Sequence, residues 1–140
     1  MRTQVGILGA GPAGLLLGHL LHLAGIDSVI LEAHTRAHVE SRIRAGVMEH
    51  QAAELLRAAG VGARMDREGL LHHGVVLRFG GASHRIDLAT LAGKSIMVYG
   101  QHQVVRDLIA ARLAAGLPLL FEAQASAIDG VLGDAPRSAF

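Results

Sequence analysis

Cysteine is absent from this chain of 140 residues, which removes disulfides, a thiolate nucleophile and cysteine-ligated metal at once. A reducing, cytoplasmic setting fits that absence, although the absence alone does not establish the compartment. Lysine is reduced to Lys94: the rest of the 13 basic residues are arginines, scattered along the chain among 12 acidic ones, for a formal charge of +1. A nucleic-acid surface needs its basic residues gathered into a patch or stripe, so no nucleic-acid partner is expected. Charged residues make up only 18% of the chain against 51% hydrophobic ones, a balance that favours a compact globular body over disorder. At this length one core, and hence a single domain, is the starting expectation.

Charge is missing altogether from Thr3 to Ile26. A membrane span is one reading of such a run, and Gly14 and Gly18 have the spacing of paired membrane helices. That span would carry Gly6, Gly9, Gly11, Pro12, His19 and His22 through lipid, which argues against it. A secretory leader is disfavoured too, because a further strand follows and no small-residue cleavage site precedes a polar start. The run divides better into a strand over Gln4 to Leu8, a glycine turn, a helix to about Ala24 and a second strand over Ser28 to Leu31 that ends in Glu32. This is a βαβ unit suited to a dinucleotide. Gly9 permits the tight turn, Gly11 leaves room for a pyrophosphate, and Gly14 lets the helix lie close to the strand. Unpaired amides and the positive end of the helix then face the phosphates. Glu32, 23 residues after Gly9, can accept both hydroxyl hydrogens of a ribose. Gly18 reads as another close contact of the same helix.

Beyond Glu32 the apolar run ends. Ala33 to Arg44 is expected to be a loop with a short helical turn, bringing in Arg36, Arg42 and Arg44. Guanidinium groups pair well with phosphate oxygens, so Arg42 and Arg44 are candidates for cofactor contact, against the alternative of a solvated pair at a helix entrance. Gly46 is expected to open a helix over Val47 to Ala58, stopped by Gly60. Gly74 to Leu88 alternates with a period of two on either side of Gly80 and Gly81, which predicts a hairpin. A further strand is predicted at Ser95 to Tyr99, so that 74–99 forms an antiparallel excursion. His72 and His73 precede it without an accompanying acid or cysteine cluster, so no metal site is expected there. Gln101 and His102 introduce a predicted helix, Gln103 to Ala115, with Val104, Val105, Leu108, Ile109 and Leu113 inward and Arg106, Asp107 and Arg112 toward water. Leu117 to Phe121 is the next strand, joining the parallel sheet of the first two. The expected class is therefore α/β, a Rossmann-like dinucleotide-binding βαβ layer interrupted by antiparallel strands.

The segments GAGPAGLLLGHLLHLAGI (from Gly9), VILE (from Val29), SRIRAGVMEH (from Ser41), GLLHHGV (from Gly69), RIDL (from Arg85) and VYGQHQVVRDLI (from Val98) occur in one order across nearly the whole chain. In that order they resemble the amino-terminal third of the single-component FAD-dependent aromatic hydroxylases, in particular the 4-hydroxybenzoate 3-monooxygenases. The first segment is common to many FAD proteins, whereas RIRAG followed by VYGQ is much more specific. The resemblance implies FAD as cofactor. Its pyrophosphate would lie at Gly9, Gly11, Pro12, Ala13 and Gly14, its ribose on Glu32, and further contacts would come from Arg42, Arg44, Ala45, Gly46, Val47 and Gln101. It also implies NADPH or NADH as reductant, with Arg44 a candidate contact. His72 matches a histidine on a proton path from the substrate phenol to solvent, a role that imidazole suits near neutral pH.

By the same resemblance, the complete protein would use molecular oxygen to hydroxylate 4-hydroxybenzoate, or a related phenolic acid, to 3,4-dihydroxybenzoate, with a homodimer among its expected states. Residues 1–140 correspond to the amino-terminal part of the FAD-binding domain. The carboxy-terminal region, with a second FAD segment and the substrate-binding sheet, has no counterpart in the chain, so an inactive fragment is expected. A small FAD- or NAD-binding module serving a partner protein and a nonfunctional shortened product are the alternatives. Ala33 and His38 stand where the family often carries an arginine and a tyrosine that help hold the phosphorylated coenzyme, which shifts the expectation for the parent enzyme toward relaxed specificity or NADH.

Overall fold

The computed structural model describes residues 2–133 and 135–140. In chain order the elements are β1 (Val5–Leu8), α1 (Pro12–Leu23), β2 (Ser28–Leu31), α2 (Arg36–Ser41), β3 (Val47–Met48), α3 (His50–Ala58), α4 (Ala63–Glu68) and β4 (Leu70–His72). They continue with β5 (Gly74–Phe79), β6 (Ala82–Asp87), α5 (Leu88–Ala92), β7 (Ile96–Val98), α6 (Gln101–Ala114), β8 (Leu119–Leu120), β9 (Ala127–Asp129) and β10 (Arg137–Ala139). Where chain length suggested one core, the residues gather into two compact units. One runs to Arg42 and resumes at His102, and the other is Ile43–Gln101.

The first unit is a parallel sheet in the order β1-β2-β8. Val5 pairs with Ser28 and Leu8 with Leu31, while Ile30 and Leu31 pair with Leu119 and Leu120. β2 is the central strand and is buried along its whole length, as an uninterrupted SVIL run requires when both faces are covered. Its core is Ile7, Leu15, Val29, Ile30, Leu31, Val104, Val105, Leu108, Ile109 and Leu119. Burying one such aliphatic side chain contributes about 1.5–3 kcal/mol. Gly18 is where α1 crosses the sheet, since a methyl group there would lie 2.8 Å from Ile30 Cδ1 and 2.9 Å from Arg112 Nη1.

That guanidinium corrects the expectation that Arg112 faces water: the side chain is 1% exposed. Its Nε donates to the Pro118 carbonyl at 3.1 Å, Nη1 to the Gly18 carbonyl at 3.3 Å and Nη2 to the Ser28 carbonyl at 2.6 Å. Burial lowers its pKa, and carbonyl dipoles stabilise the charge it carries. α6 also begins two residues earlier than expected, so Gln101 and His102 belong to the helix. Past β8 a short antiparallel pair of strands, β9 and β10, follows. Val131 and Leu132 are exposed.

The second unit holds two separate antiparallel systems. β3, β7 and β4 form a three-stranded sheet in the order β3-β7-β4, and β5 and β6 form the expected hairpin. The hairpin turns through Gly80 and Gly81, both at positive φ (56° and 77°), the conformation that glycine adopts without a Cβ penalty. The helix expected from Val47 starts only at His50, because Val47 and Met48 pair with Val98 and Met97 as a short strand. Helix α4 and strand β4 were not anticipated. Arg57 links α3 to α4, holding Asp66 at 2.6 Å and also Glu54. Ala53, Leu56, Ala59, Met65, Met97 and Tyr99 are this unit's buried apolar side chains among the described residues. No helix among the described residues is long and apolar enough to cross a membrane.

Candidate functional site

The glycine turn joins β1 to α1. Gly9 has φ +100° and donates its amide to the Leu31 carbonyl at 2.7 Å, which ties the end of β1 to β2. Gly14 is closed to any side chain, because a Cβ there would lie 2.2 Å from the Gly9 carbonyl. Gly11 is the reverse case: a Cβ there would meet nothing within 4 Å. One glycine is therefore demanded by the fold, while the space beside the other is left unused by the fold. Gly11 is also the N-cap of α1, with Pro12 at the first helical position, no side-chain cap and no acidic residue in the first turn. The leading amides of a helix have no partner within it, and its dipole makes that end positive. An uncapped end with no acidic residue in its own first turn suits a pyrophosphate.

Glu32 stands just past β2, 9% exposed. Its Oε2 accepts from the Ala10 amide at 2.8 Å, and its Oε1 accepts from both the His34 amide and His34 Nδ1 at 2.9 Å. Burial works against its charge, but the donors from His34 and Ala10 outweigh it and hold the carboxyl below its ordinary pKa. Ala10, whose own side chain is fully buried, thereby fastens the glycine turn to the acid. The backbone beyond is pinned as well, since Ala123 donates to the Glu32 carbonyl and Glu122 to the His34 carbonyl. The His34 ring stacks on His38 of α2, with centroids 4.4 Å apart and planes at 13°.

Gly9, Gly11, Pro12, Ala13, Gly14 and Glu32 are thus brought together in one unit. Arg42 belongs to the same unit as the exposed C-cap of α2. Arg44, Ala45, Gly46 and Val47 lie in the other, where Gly46 is pressed against the backbone of Tyr99 and Gly100 and accepts the Tyr99 amide at 2.7 Å. Gln101 opens α6 directly after Gly100. His72 ends β4 opposite Ile96 with its side chain exposed. The neighbouring His73 bonds through Nδ1 to Ser95 Oγ at 2.8 Å. Among the described residues no cluster of three or more His, Asp or Glu is arranged to hold a metal.

Two contributors escaped the sequence reading. Ala10 acts through its backbone amide, which has no residue-type signature. His34 acts by lying two positions past the acid, a spacing that becomes meaningful only when the chain turns back there.

Residues 2–131 match the model of the FAD binding domain family. The chain is 47% identical over 123 residues to p-hydroxybenzoate hydroxylase of Acinetobacter baylyi, a match covering 87% of this chain and 30% of that protein. Among solved structures, it is similar to PqsL of Pseudomonas aeruginosa in complex with 2-aminobenzoylacetate, with TM-score 0.81, 21% identity and coverage of 91% of this chain and 35% of the other. It is also similar to p-nitrophenol 4-monooxygenase PnpA of Pseudomonas putida, with TM-score 0.76, 22% identity and coverage of 96% and 38%. At these identities the two structures establish the fold alone. The chain spans less than a third of the length of the hydroxylase that it matches.

Proposed function

Because the chain belongs to the FAD-binding domain family, we propose that it supplies the adenosine- and pyrophosphate-holding part of a flavin-dependent hydroxylase of phenolic acids. The observation that carries the reading is the turn itself: Gly11 leaves open space at an uncapped helix end, while Glu32 is fastened beside it through Ala10. The amides at the head of α1 would take the pyrophosphate, and Glu32 would take the adenosine ribose. Arg42 and Arg44 are cationic residues for phosphate contact, and Gly46, Val47 and Gln101 are further contacts by family likeness. His72, exposed at the end of β4, is the residue that would pass a proton from the phenol toward solvent.

FAD, when bound, supplies the electron-transfer and oxygen chemistry. The protein's part is to hold the cofactor, orient the aromatic acid and move the proton. With 47% identity to p-hydroxybenzoate hydroxylase, the substrate class proposed is 4-hydroxybenzoate, converted with molecular oxygen to 3,4-dihydroxybenzoate at the expense of NADPH or NADH. Ala33 and His38 carry neither the guanidinium nor the phenol used for a phosphorylated coenzyme, which favours NADH.

The test is a chimera in which residues 2–131 replace the matching segment of the Acinetobacter baylyi hydroxylase. It is expected to retain FAD and to form 3,4-dihydroxybenzoate, with the ratio of kcat/KM for NADH over NADPH raised. A folded chimera that neither retains FAD nor hydroxylates would contradict the proposal.

A further inference from the structure

An ionised carboxylate accepts hydrogen bonds and donates none, with about four lone-pair positions on its two oxygens. Glu32 is held in its ionised form by its donors, and three of those positions are occupied: two on Oε1 by the His34 amide and His34 Nδ1, one on Oε2 by the Ala10 amide. Nδ1 therefore carries the proton. A ribose with both hydroxyls free brings two donors, one more than the carboxylate has room for while the His34 ring stays in place.

Of the three bonds, the two backbone ones are fixed. Ala10 is itself fully buried, and the backbone of Glu32 and of His34 is tied down by Ala123 and Glu122. The imidazole is the removable donor, since its side chain is 55% exposed and turns into solvent without leaving a buried void. In the position seen, the stack on His38 holds it.

We propose that His34 is a latch on Glu32: its ring occupies the second acceptor position that a ribose cis-diol requires, and must swing away before both hydroxyls bind. The inference rests on the FAD reading of this site and adds a residue that sets how strongly the site discriminates a diol from a single hydroxyl. His34 acts through Glu32 and is in that sense a positioning residue.

The test is calorimetric titration of the chain, of His34→Ala and of His34→Asn with FAD and with an FAD analogue built on 2′-deoxyadenosine. Asparagine places an amide N–H close to where Nδ1 stands, so it keeps the latch, and alanine removes it. Thermal melts without ligand establish that each variant is folded. His34→Ala is expected to bind FAD about five- to tenfold more tightly than the parent chain, the worth of one hydrogen bond no longer displaced. His34→Asn should match the parent chain. With the deoxy analogue, which brings one donor for the one vacant position, the gain from alanine should vanish. Equal or weaker FAD binding by folded His34→Ala overturns the latch and leaves the cofactor reading standing. A gain that persists in full with the deoxy analogue overturns it as well, because it shows an effect unrelated to the diol. Absence of FAD binding in all three folded chains overturns the cofactor reading and the latch together.

Discussion

Arg112 Nη2 lies 2.6 Å from the Ser28 carbonyl oxygen, placing a fully buried positive charge at the start of the central strand of the parallel sheet. The same guanidinium reaches the Gly18 and Pro118 carbonyls, so one side chain on α6 bonds to α1, β2 and the segment leading into β8. Its desolvation is offset by carbonyl dipoles, which are weaker partners than a carboxylate, so the contribution depends on all of these contacts being made together.

Truncating Arg112 to alanine should therefore destabilise the chain by about 3 kcal/mol, from the lost charged hydrogen bonds and the cavity left behind. Arg112→Met, which fills the volume without charge, should cost about half as much or less, since removing a buried charge recovers its desolvation. Gly18→Ala should cost about 1–3 kcal/mol by overpacking, even though alanine is the better helix former by about 1 kcal/mol. Urea unfolding of the three variants checks the order. A fully stable Gly18→Ala would show that the close approach to Ile30 and Arg112 is readily relaxed.

The two glycines of the turn separate folding from binding. Gly14→Ala puts a methyl group against the Gly9 carbonyl and should lower the melting temperature sharply or prevent folding. Gly11→Ala has free space, so the melting temperature should stay within a few degrees of the parent chain while FAD binding falls at least tenfold. Melts and fluorescence titration read the two effects separately. Undiminished binding by folded Gly11→Ala would place the pyrophosphate elsewhere.

Much of this is legible in the amino-acid sequence itself. The GAGPAG turn, its flanking strands and Glu32 announce themselves because glycine, short apolar runs and a lone acid are each dictated by local geometry. The Gly80-Gly81 hairpin was readable for the same reason. Val47 and Met48 were misread as helix because their strand character comes from β7, a partner about fifty residues away that no local pattern reveals. Arg112 carries a signal in its position, one helical turn beyond Leu108 on the stripe of Val104, Val105 and Leu108, which outweighs the outward preference of its charge. α4 and β4 lie in a stretch without a clear period, where packing decides.

Acid should uncover the Glu32 network. Its pKa is depressed in the fold, so its stabilising contribution is fully present above the ordinary carboxylate range, about pH 4–5. That contribution is lost as pH falls through the lower, folded value. Asp66 and Asp87 shift in the same direction through Arg57 and Thr90 respectively, so the difference between the parent chain and Glu32→Gln isolates this residue. Denaturant midpoints from pH 7 to pH 3 should fall more steeply for the parent chain, and the two curves should draw together toward the acid end. Parallel curves would mean that Glu32 is not held ionised by Ala10 and His34.

The most direct measurement for the account as a whole is calorimetric titration of FAD into the 140-residue chain and into Glu32→Ala, after chromatography has confirmed that both are folded. With the glycine turn and Glu32 in one unit, the chain is expected to bind FAD weakly and saturably through the adenosine half. Glu32→Ala should lose about 1.5–3 kcal/mol of that binding, the worth of a hydrogen-bonded charge. No binding by the folded chain, or the same affinity with and without the Glu32 carboxylate, would contradict it.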